Sequence, residues 1–140
     1  MRWFLYAIFS SLFAALVAIF GKLGLKNADS VLATTIRGVI MAIFLLVTSF
    51  FLKKFSLNNF NSLSWRDWVL IVAAGLAGAL SWIFYFLALK EGMASKVAAI
   101  DRTSIIFVII LSVLILGEKI SWKAFLGAIL MAAGAIMVIL

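Results

Sequence analysis

The sequence predicts an all-α, polytopic membrane protein, a bundle of five transmembrane helices within a single domain over residues 1–140. Of its 140 residues, 67% are hydrophobic and only 12% are charged, too few polar groups for the surface of a soluble domain of this length. The apolar residues are gathered into runs close to the ~20 residues that cross a bilayer. Residues typical of helix ends separate these runs.

The predicted spans, TM1 to TM5, cover about residues 3–20, 31–52, 68–89, 97–116 and 122–140. The connections carry helix-end signals: residues 27–30 before TM2, Ser64 with Asp67 before TM3, Glu91, Gly92 and Ser95 around TM4, and Gly117 with Ser121 before TM5. TM1 is long and another span follows it, which favours a retained span over a cleaved signal peptide.

The residue inventory argues against an enzyme. The chain contains neither cysteine nor histidine, which excludes disulfides, thiol chemistry and Ser/His or Cys/His nucleophile pairs, and we expect no cofactor and no metal. The net charge of +7 comes from basic residues that stand in ones and twos beside apolar runs. This arrangement is typical of headgroup anchoring and not of a nucleic-acid partner.

The distribution of basic residues is nearly even across the membrane. The side with the N-terminus, side A, carries Arg2, Lys53, Lys54, Arg66, Lys119 and Lys123, and side B carries Lys22, Lys26, Lys90 and Lys96. Arg37 and Arg102 lie within spans, nearer side B, and counting them makes the sides equal. Because the excess of Lys and Arg normally sets orientation, we expect insertion in both directions, a dual topology.

Arg37 is the first candidate site residue. It lies seven residues into TM2 from Ser30, roughly 10 Å along a helix. A guanidinium at this depth must face protein, water or a partner. At ~100° per residue one stripe of TM2 contains Ser30, Thr34, Arg37, Met41 and Thr48, so Thr34 joins Arg37 as a candidate. The alternative is that Arg37 reaches back to side B and caps nearby carbonyls.

Asp101 is the predicted partner of Arg37. It lies about a turn and a half into TM4 from side B, at a similar depth, and shares a stripe with Ser104 and Ser112. A carboxylate there needs a cation. The pair either forms part of a substrate site or only locks TM2 to TM4.

Lys22 closes a small-residue stripe in TM1 that contains Ser11, Ala15 and Ala18. Lys22 either lines the same vestibule as Arg37 and Asp101 or extends to the headgroups.

In TM3, Gly75, Gly78, Trp82 and Tyr85 share one face, which predicts a cavity that tapers toward the glycines. Trp82 is either part of this aromatic wall or lipid-facing bulk.

TM5 carries the candidate dimer contact. Ala124 and Ala128 are four residues apart, Gly127 and Gly134 seven apart, and such small residues permit close helix approach. Packing within the chain is the alternative.

Several segments together resemble a known family. They are Gly21 to Lys26, Asp29-Ser30, Ala33-Thr34 with Arg37, Tyr85-Phe86 to Lys90, Ala94 to Ala98, Ile100 to Ser104, and Leu116-Gly117-Glu118 with Gly127. Over essentially the whole chain, this combination resembles the EamA domain of the drug/metabolite transporter superfamily. It is most similar to the single-domain bacterial and archaeal members, so one EamA repeat is expected.

The resemblance implies a function. Full-length relatives carry two such domains in opposite orientation around a central cavity, and a lone copy with five spans can rebuild this arrangement with an oppositely inserted chain. It therefore implies a secondary transporter in the cell membrane, an antiparallel homodimer that moves a small polar metabolite by alternating access. Lys22 and Arg37 against Asp101 alone favour an anionic or zwitterionic, amino-acid-like substrate. The alternatives are a lipid-headgroup flippase and a non-transporting accessory or scaffold subunit.

Two departures limit what can be carried over. Relatives commonly have proline where this chain has Ala99, and the chain contains no proline, which predicts a less broken TM4. TM1 contains no acidic residue, so the carboxylate-driven exchange of small multidrug resistance transporters is not expected.

Overall fold

The computed structural model describes residues 2–54 and 61–140. Its elements are α1 (Arg2–Gly24), α2 (Ser30–Phe51), α3 (Trp65–Glu91), α4 (Ala94–Arg102), α5 (Ser104–Leu111), a π-helical turn (Ser112–Leu116) and α6 (Trp122–Ile139). Within these two ranges, five segments are long and apolar enough to cross a membrane: α1, α2, α3, the segment Ala94–Leu116 and α6. The predicted class, all-α with five transmembrane helices, is confirmed.

Side chains at the predicted signals fix three helix starts. The Asp29 carboxylate accepts hydrogen bonds from the N–H groups of Val31 and Leu32, both at 2.9 Å, and begins α2. Ser64 and Asp67 cap α3 reciprocally: the Ser64 N–H donates to Asp67 and the Asp67 N–H donates to the Ser64 hydroxyl. At α6 the Ser121 hydroxyl accepts the N–H of Ala124. These bonds satisfy N–H groups that a helix leaves unpaired in its first turn.

The fourth span is divided, although it lacks proline. A turn at Thr103 separates α4 from α5, and the span ends in the π turn and in Gly117, whose φ of 67° is left-handed. At Thr103 both the backbone N–H and the side-chain hydroxyl donate to the carbonyl oxygen of Ile100, at 2.9 and 2.6 Å. The break has a local cause, because a threonine hydroxyl competes for a helix carbonyl. That TM4 is less broken than in relatives stays a prediction.

The contacts divide the chain into two compact units. One combines α1 with α4, α5, the π turn and α6, and the other combines α2 with α3. In the first, α4 packs against α6, and the buried residues Val97, Ala128 and Ala135 lie on these helices. The extent of the single domain, residues 1–140, stays a prediction.

Large apolar side chains are mostly exposed. Phe44, Phe107 and Leu130 are examples on three of the spans, each more than 60% accessible. A soluble protein does not leave such a surface in water. Hydrocarbon solvates it without penalty, and the helices pair their own backbone groups, as a membrane requires. The chain is accordingly a multi-pass membrane protein.

Candidate functional site

The polar stripe of α2 is the least exposed face of that helix. Ser30 is 1% exposed and Thr34 7%, and Arg37, Met41 and Thr48 are half-buried. The Thr34 hydroxyl donates to the carbonyl oxygen of Ser30 at 2.7 Å, so it is satisfied within its own helix. The predicted stripe therefore coincides with the protected side of α2.

Asp29 fixes the start of this face and carries a perturbed charge. The hydrogen bond from the Leu32 N–H contributes most to lowering the pKa of Asp29 below its ordinary value of 3.8. The Val31 N–H and the Lys90 charge act in the same direction, against a loss of hydration. The Lys90 ammonium also donates to the carbonyl oxygen of Ala28, at 3.1 Å. The turn before Ser30 is thus held to the end of α3.

The Arg37 guanidinium lies over the aromatic rings of α3. Its central carbon is 4.4 Å from the centroid of the Trp82 ring and 5.2 Å from that of the Phe86 ring. Both distances fall inside the ~6 Å at which a cation is attracted to the face of a ring, an effect that reaches about 2 kcal/mol when the groups are desolvated. Arg37 therefore contacts protein, and Trp82 forms part of an aromatic wall.

Two polar atoms on this face have no hydrogen-bond partner within residues 2–54 and 61–140. They are Nη1 of Arg37 and the hydroxyl oxygen of Ser30, and both are buried. An unsatisfied buried donor costs about 1–3 kcal/mol, and more when it is charged. The ring stack covers a face of the guanidinium but cannot accept its in-plane N–H bonds. Nη1 of Arg37 is therefore available to an acceptor that lies outside the described residues. The planar edge of a guanidinium matches a carboxylate in particular.

Tyr85 and Phe86 extend the aromatic wall. Their ring centroids are 6.2 Å apart; Tyr85 is half-buried and Phe86 buried. Phe86 was not among the site residues predicted from the sequence. The signal that could have found it is the spacing of Trp82 and Phe86, four residues apart and hence on one helix face. The structure therefore groups Thr34, Arg37, Trp82 and Tyr85 in one unit and adds Phe86.

Lys22 belongs to the other unit. Its ammonium donates to the carbonyl oxygen of Gly92 at 2.7 Å, and Lys96 donates to the carbonyl oxygen of Ile139. Both lysines thus use their long side chains to satisfy backbone carbonyls at or beside helix ends, as basic residues commonly do there. Lys22 joins the end of α1 to the turn before α4.

Asp101 and Ser104 lie on either side of the break in the fourth span. Asp101 is the second-last residue of α4, Ser104 is the first of α5, and both side chains are exposed. Because Asp101 and Arg37 belong to different units, their pairing stays a prediction.

The candidate dimer contact presents two faces of α6. Ala128 is buried, on the helix that packs against α4, whereas Ala124 is exposed. A Cβ atom built on Gly127 or Gly134 meets no heavy atom within 4 Å among the described residues. The alanine face is used inside the chain, and the glycine face has space for another helix.

Comparison with known proteins agrees with this arrangement. The model of the EamA-like transporter family matches residues 1–140. The chain is also similar to a Sinorhizobium sp protein described as an uncharacterized transporter in the cobO 3' region: 38% of 135 residues are identical, covering 96% of this chain and 94% of that protein. No solved structure gives a significant match. The family match over the full sequence and the relative of similar length show that this chain belongs to the EamA-like transporter family.

Proposed function

We propose that this protein is a secondary transporter of small anionic or zwitterionic metabolites, amino-acid-like in size, that works as an antiparallel homodimer by alternating access. Arg37 binds the substrate carboxylate, and Trp82 and Tyr85 shape the site. The proposed location is the cytoplasmic membrane of a bacterium or archaeon.

The unpaired Nη1 of Arg37 carries this proposal. Trp82 and Phe86 hold the guanidinium at 4.4 and 5.2 Å, while one of its buried nitrogens has no acceptor in the described part of the chain. In a membrane such a donor is costly unless a ligand satisfies it during the working cycle. A transporter benefits from this state, because the substrate then gains the full value of a charge-assisted hydrogen bond.

Charge favours an anion or a zwitterion over a cation. The charged residues among the proposed site residues are two cations, Lys22 and Arg37, and one anion, Asp101. We assign Asp101 either to orienting Arg37 or to carrying a coupling proton.

The antiparallel dimer is supported by three features. The basic residues are nearly balanced between the two sides, and five spans place the ends of the chain on opposite sides of the membrane. A glycine face of α6 is also open to a second helix, at Gly127 and Gly134 with Ala124 beside them.

A ligand screen followed by transport tests the proposal. Purified protein is screened by thermal shift with amino acids and carboxylic acids, and hits are assayed for uptake into proteoliposomes. Arg37→Ala should weaken ligand binding by at least about tenfold, the value of one charge-assisted bond. Arg66→Ala, which removes an exposed arginine from the first turn of α3, should not. Uptake unaffected by Arg37→Ala would exclude this site.

The same assay separates the alternative functions. A lipid-headgroup flippase would be stabilised by lipid-linked compounds and not by the free acids. A scaffold or accessory subunit would show neither a stabilising ligand nor uptake.

Dual insertion has its own test. Lys54→Cys introduces a single thiol beyond α2 in a chain that has no cysteine. In intact cells, an impermeant reagent should label about half of the chains from outside. Labelling of all or none of them would contradict the antiparallel arrangement.

A further inference from the structure

An apolar groove lies between the end of the fourth span and the start of α6. Its volume is ≈ 610 Å³, within the roughly 300–1,000 Å³ of ligand sites. The walls include Ile110 and Val113 on one side and Trp122 and Phe125 on the other, with Ile120 from the connection. All of these residues belong to one unit.

The backbone explains why the groove opens at this end. α4 packs against α6, and the groove lies beyond this contact, where the fourth span ends and α6 begins. There the π turn and the left-handed Gly117 change the direction of the chain. The Gly117 N–H donates to the carbonyl oxygen of Ser112, which closes the wide turn. The end of the groove is therefore formed by a hydrogen-bonded backbone turn.

The walls suit hydrocarbon. Ser121 is the one hydroxyl-bearing residue in the lining, and its oxygen is already engaged by the N–H of Ala124 at 3.2 Å. The Trp122 and Phe125 rings lie 5.5 Å apart at a tilt of 30° and form an aromatic side wall. A polar solute would gain almost no hydrogen bonds here, whereas an acyl chain would be in contact with carbon on several sides.

Basic residues are the sequence neighbours of the groove lining. Lys119 and Lys123 each lie next to a lining residue, Ile120 and Trp122, and both lysines are exposed. Glu118 offsets one of these charges, which leaves the connection with a net positive charge. Trp122 is 70% exposed, as is typical of indoles at headgroup level. The groove therefore combines apolar walls with basic residues that are next to them in the chain.

We propose that this groove binds an anionic phospholipid, with one acyl chain along Val113 and Phe125 and the phosphate beside Lys119 and Lys123. Charge complementarity with these two lysines selects the headgroup, and the apolar walls select the tail. This lipid site shares no residue with the Arg37 site and does not depend on the substrate.

Native mass spectrometry of the detergent-purified protein tests the lipid site. The protein is incubated with phosphatidylglycerol or phosphatidylcholine of identical acyl chains, and the bound fraction is measured. We expect preferential retention of phosphatidylglycerol, lost in Lys119→Gln/Lys123→Gln by roughly fivefold for each lysine. The control pair Arg2→Gln/Lys26→Gln, which removes the same charge at two exposed positions away from the groove, should retain the preference.

A second variant separates the tail from the headgroup. Val113→Trp fills the groove and should reduce retention of both lipids, whereas the lysine variant changes only the preference between them. Equal retention of the two lipids by the wild type would overturn the proposal. So would an equal loss in the control pair, or a Val113→Trp protein that keeps its lipid and changes only its oligomeric state, since a second copy would then occupy the groove.

Discussion

Arg37 shows how a permanently charged side chain is accommodated in an apolar helix. The guanidinium gives its face to Trp82 and Phe86, which are one helical turn apart, and keeps its N–H edge for hydrogen bonding. A lysine could not divide its interactions in this way, because an ammonium has no flat face and carries its charge at a point. Arg37→Lys should therefore keep the positive charge but lose the fixed orientation of the side chain against the two rings.

The stack predicts an energetic coupling between Arg37 and Trp82. Trp82→Leu should destabilise the protein by about 1–2 kcal/mol more in the wild type than in an Arg37→Met background, because the cation–π contact is already absent there. Thermal unfolding of the four proteins in detergent measures this difference. Trp65, which is 83% exposed on the same helix, is the control, and Trp65→Leu should show no coupling to Arg37. Additive effects of Arg37→Met and Trp82→Leu would contradict the stack.

Asp29 predicts a pH dependence with a definite sign. Because its pKa is lower in the folded protein than its ordinary value of 3.8, the carboxylate stabilises the fold fully above that value. The stabilisation is lost as the pH falls through the lower, folded-state value. Asparagine also caps helices but does not titrate, so Asp29→Asn should lie below the wild type in Tm at pH 7 and converge with it only once the pH has fallen below the folded-state pKa. A constant Tm difference across this range would disprove the role of the charge.

At the scale of the element, the fourth span shows a helix break made by a side chain. Two donors of Thr103 meet the carbonyl oxygen of Ile100, and α5 begins at the next residue with Ser104. The break comes two residues after Asp101, so this carboxylate lies beside one of the irregular segments of the span.

Removing one hydroxyl tests the break. Thr103→Val has nearly the same shape, and its side chain cannot donate to the carbonyl oxygen of Ile100, so the fourth span should become more continuous. We expect slower amide hydrogen exchange at residues 103–106 and at least severalfold slower uptake, because the break is no longer available to the transport cycle. The control is Thr35→Val, which removes a hydroxyl that bonds to Val31 within α2. Equal effects of the two variants would show that the break has no special role.

The helices and several of their ends could be predicted from the sequence, because each depends on neighbours within a few residues. Asp29, Ser64 with Asp67, and Ser121 all cap the helices that they precede. Ser95 does not cap a helix in this way. The residue that precedes α4 is Met93, whose side chain makes no capping hydrogen bond. The break at Thr103 was missed because proline was the breaker considered, and a threonine is compatible with either outcome.

The site was only partly predictable, for a different physical reason. The depth and stripe of Arg37 follow from the period of one helix. Its contact with Trp82 depends on the register between α2 and α3, which a single sequence does not specify. Phe86 was overlooked because, in the sequence, it does not differ from the other apolar residues of its span. Only its contact with the Arg37 guanidinium distinguishes it from them.

For the whole molecule, the absence of cysteine permits a direct test of the proposed dimer. In an antiparallel pair, Gly127 of one chain should meet Gly134 of the other, while two copies of Gly127 stand roughly 10 Å apart. A disulfide needs Cα atoms within about 7 Å. A mixture of Gly127→Cys and Gly134→Cys chains should therefore crosslink, and Gly127→Cys alone should not. Gly75→Cys, at another open glycine, is the control. Crosslinking of Gly127→Cys with itself would indicate a parallel dimer.

The position of Trp82 against Arg37 also gives the protein an optical reporter. The chain has five tryptophans, and the other four, Trp3, Trp65, Trp68 and Trp122, are within the first four residues of their helices. If those four are replaced by phenylalanine, the remaining indole emits from beneath the guanidinium. Any solute that draws the positive charge away from the ring would alter the emission wavelength and the lifetime of the Trp82 fluorescence. Occupancy of the site at Arg37 could then be followed in real time without a label.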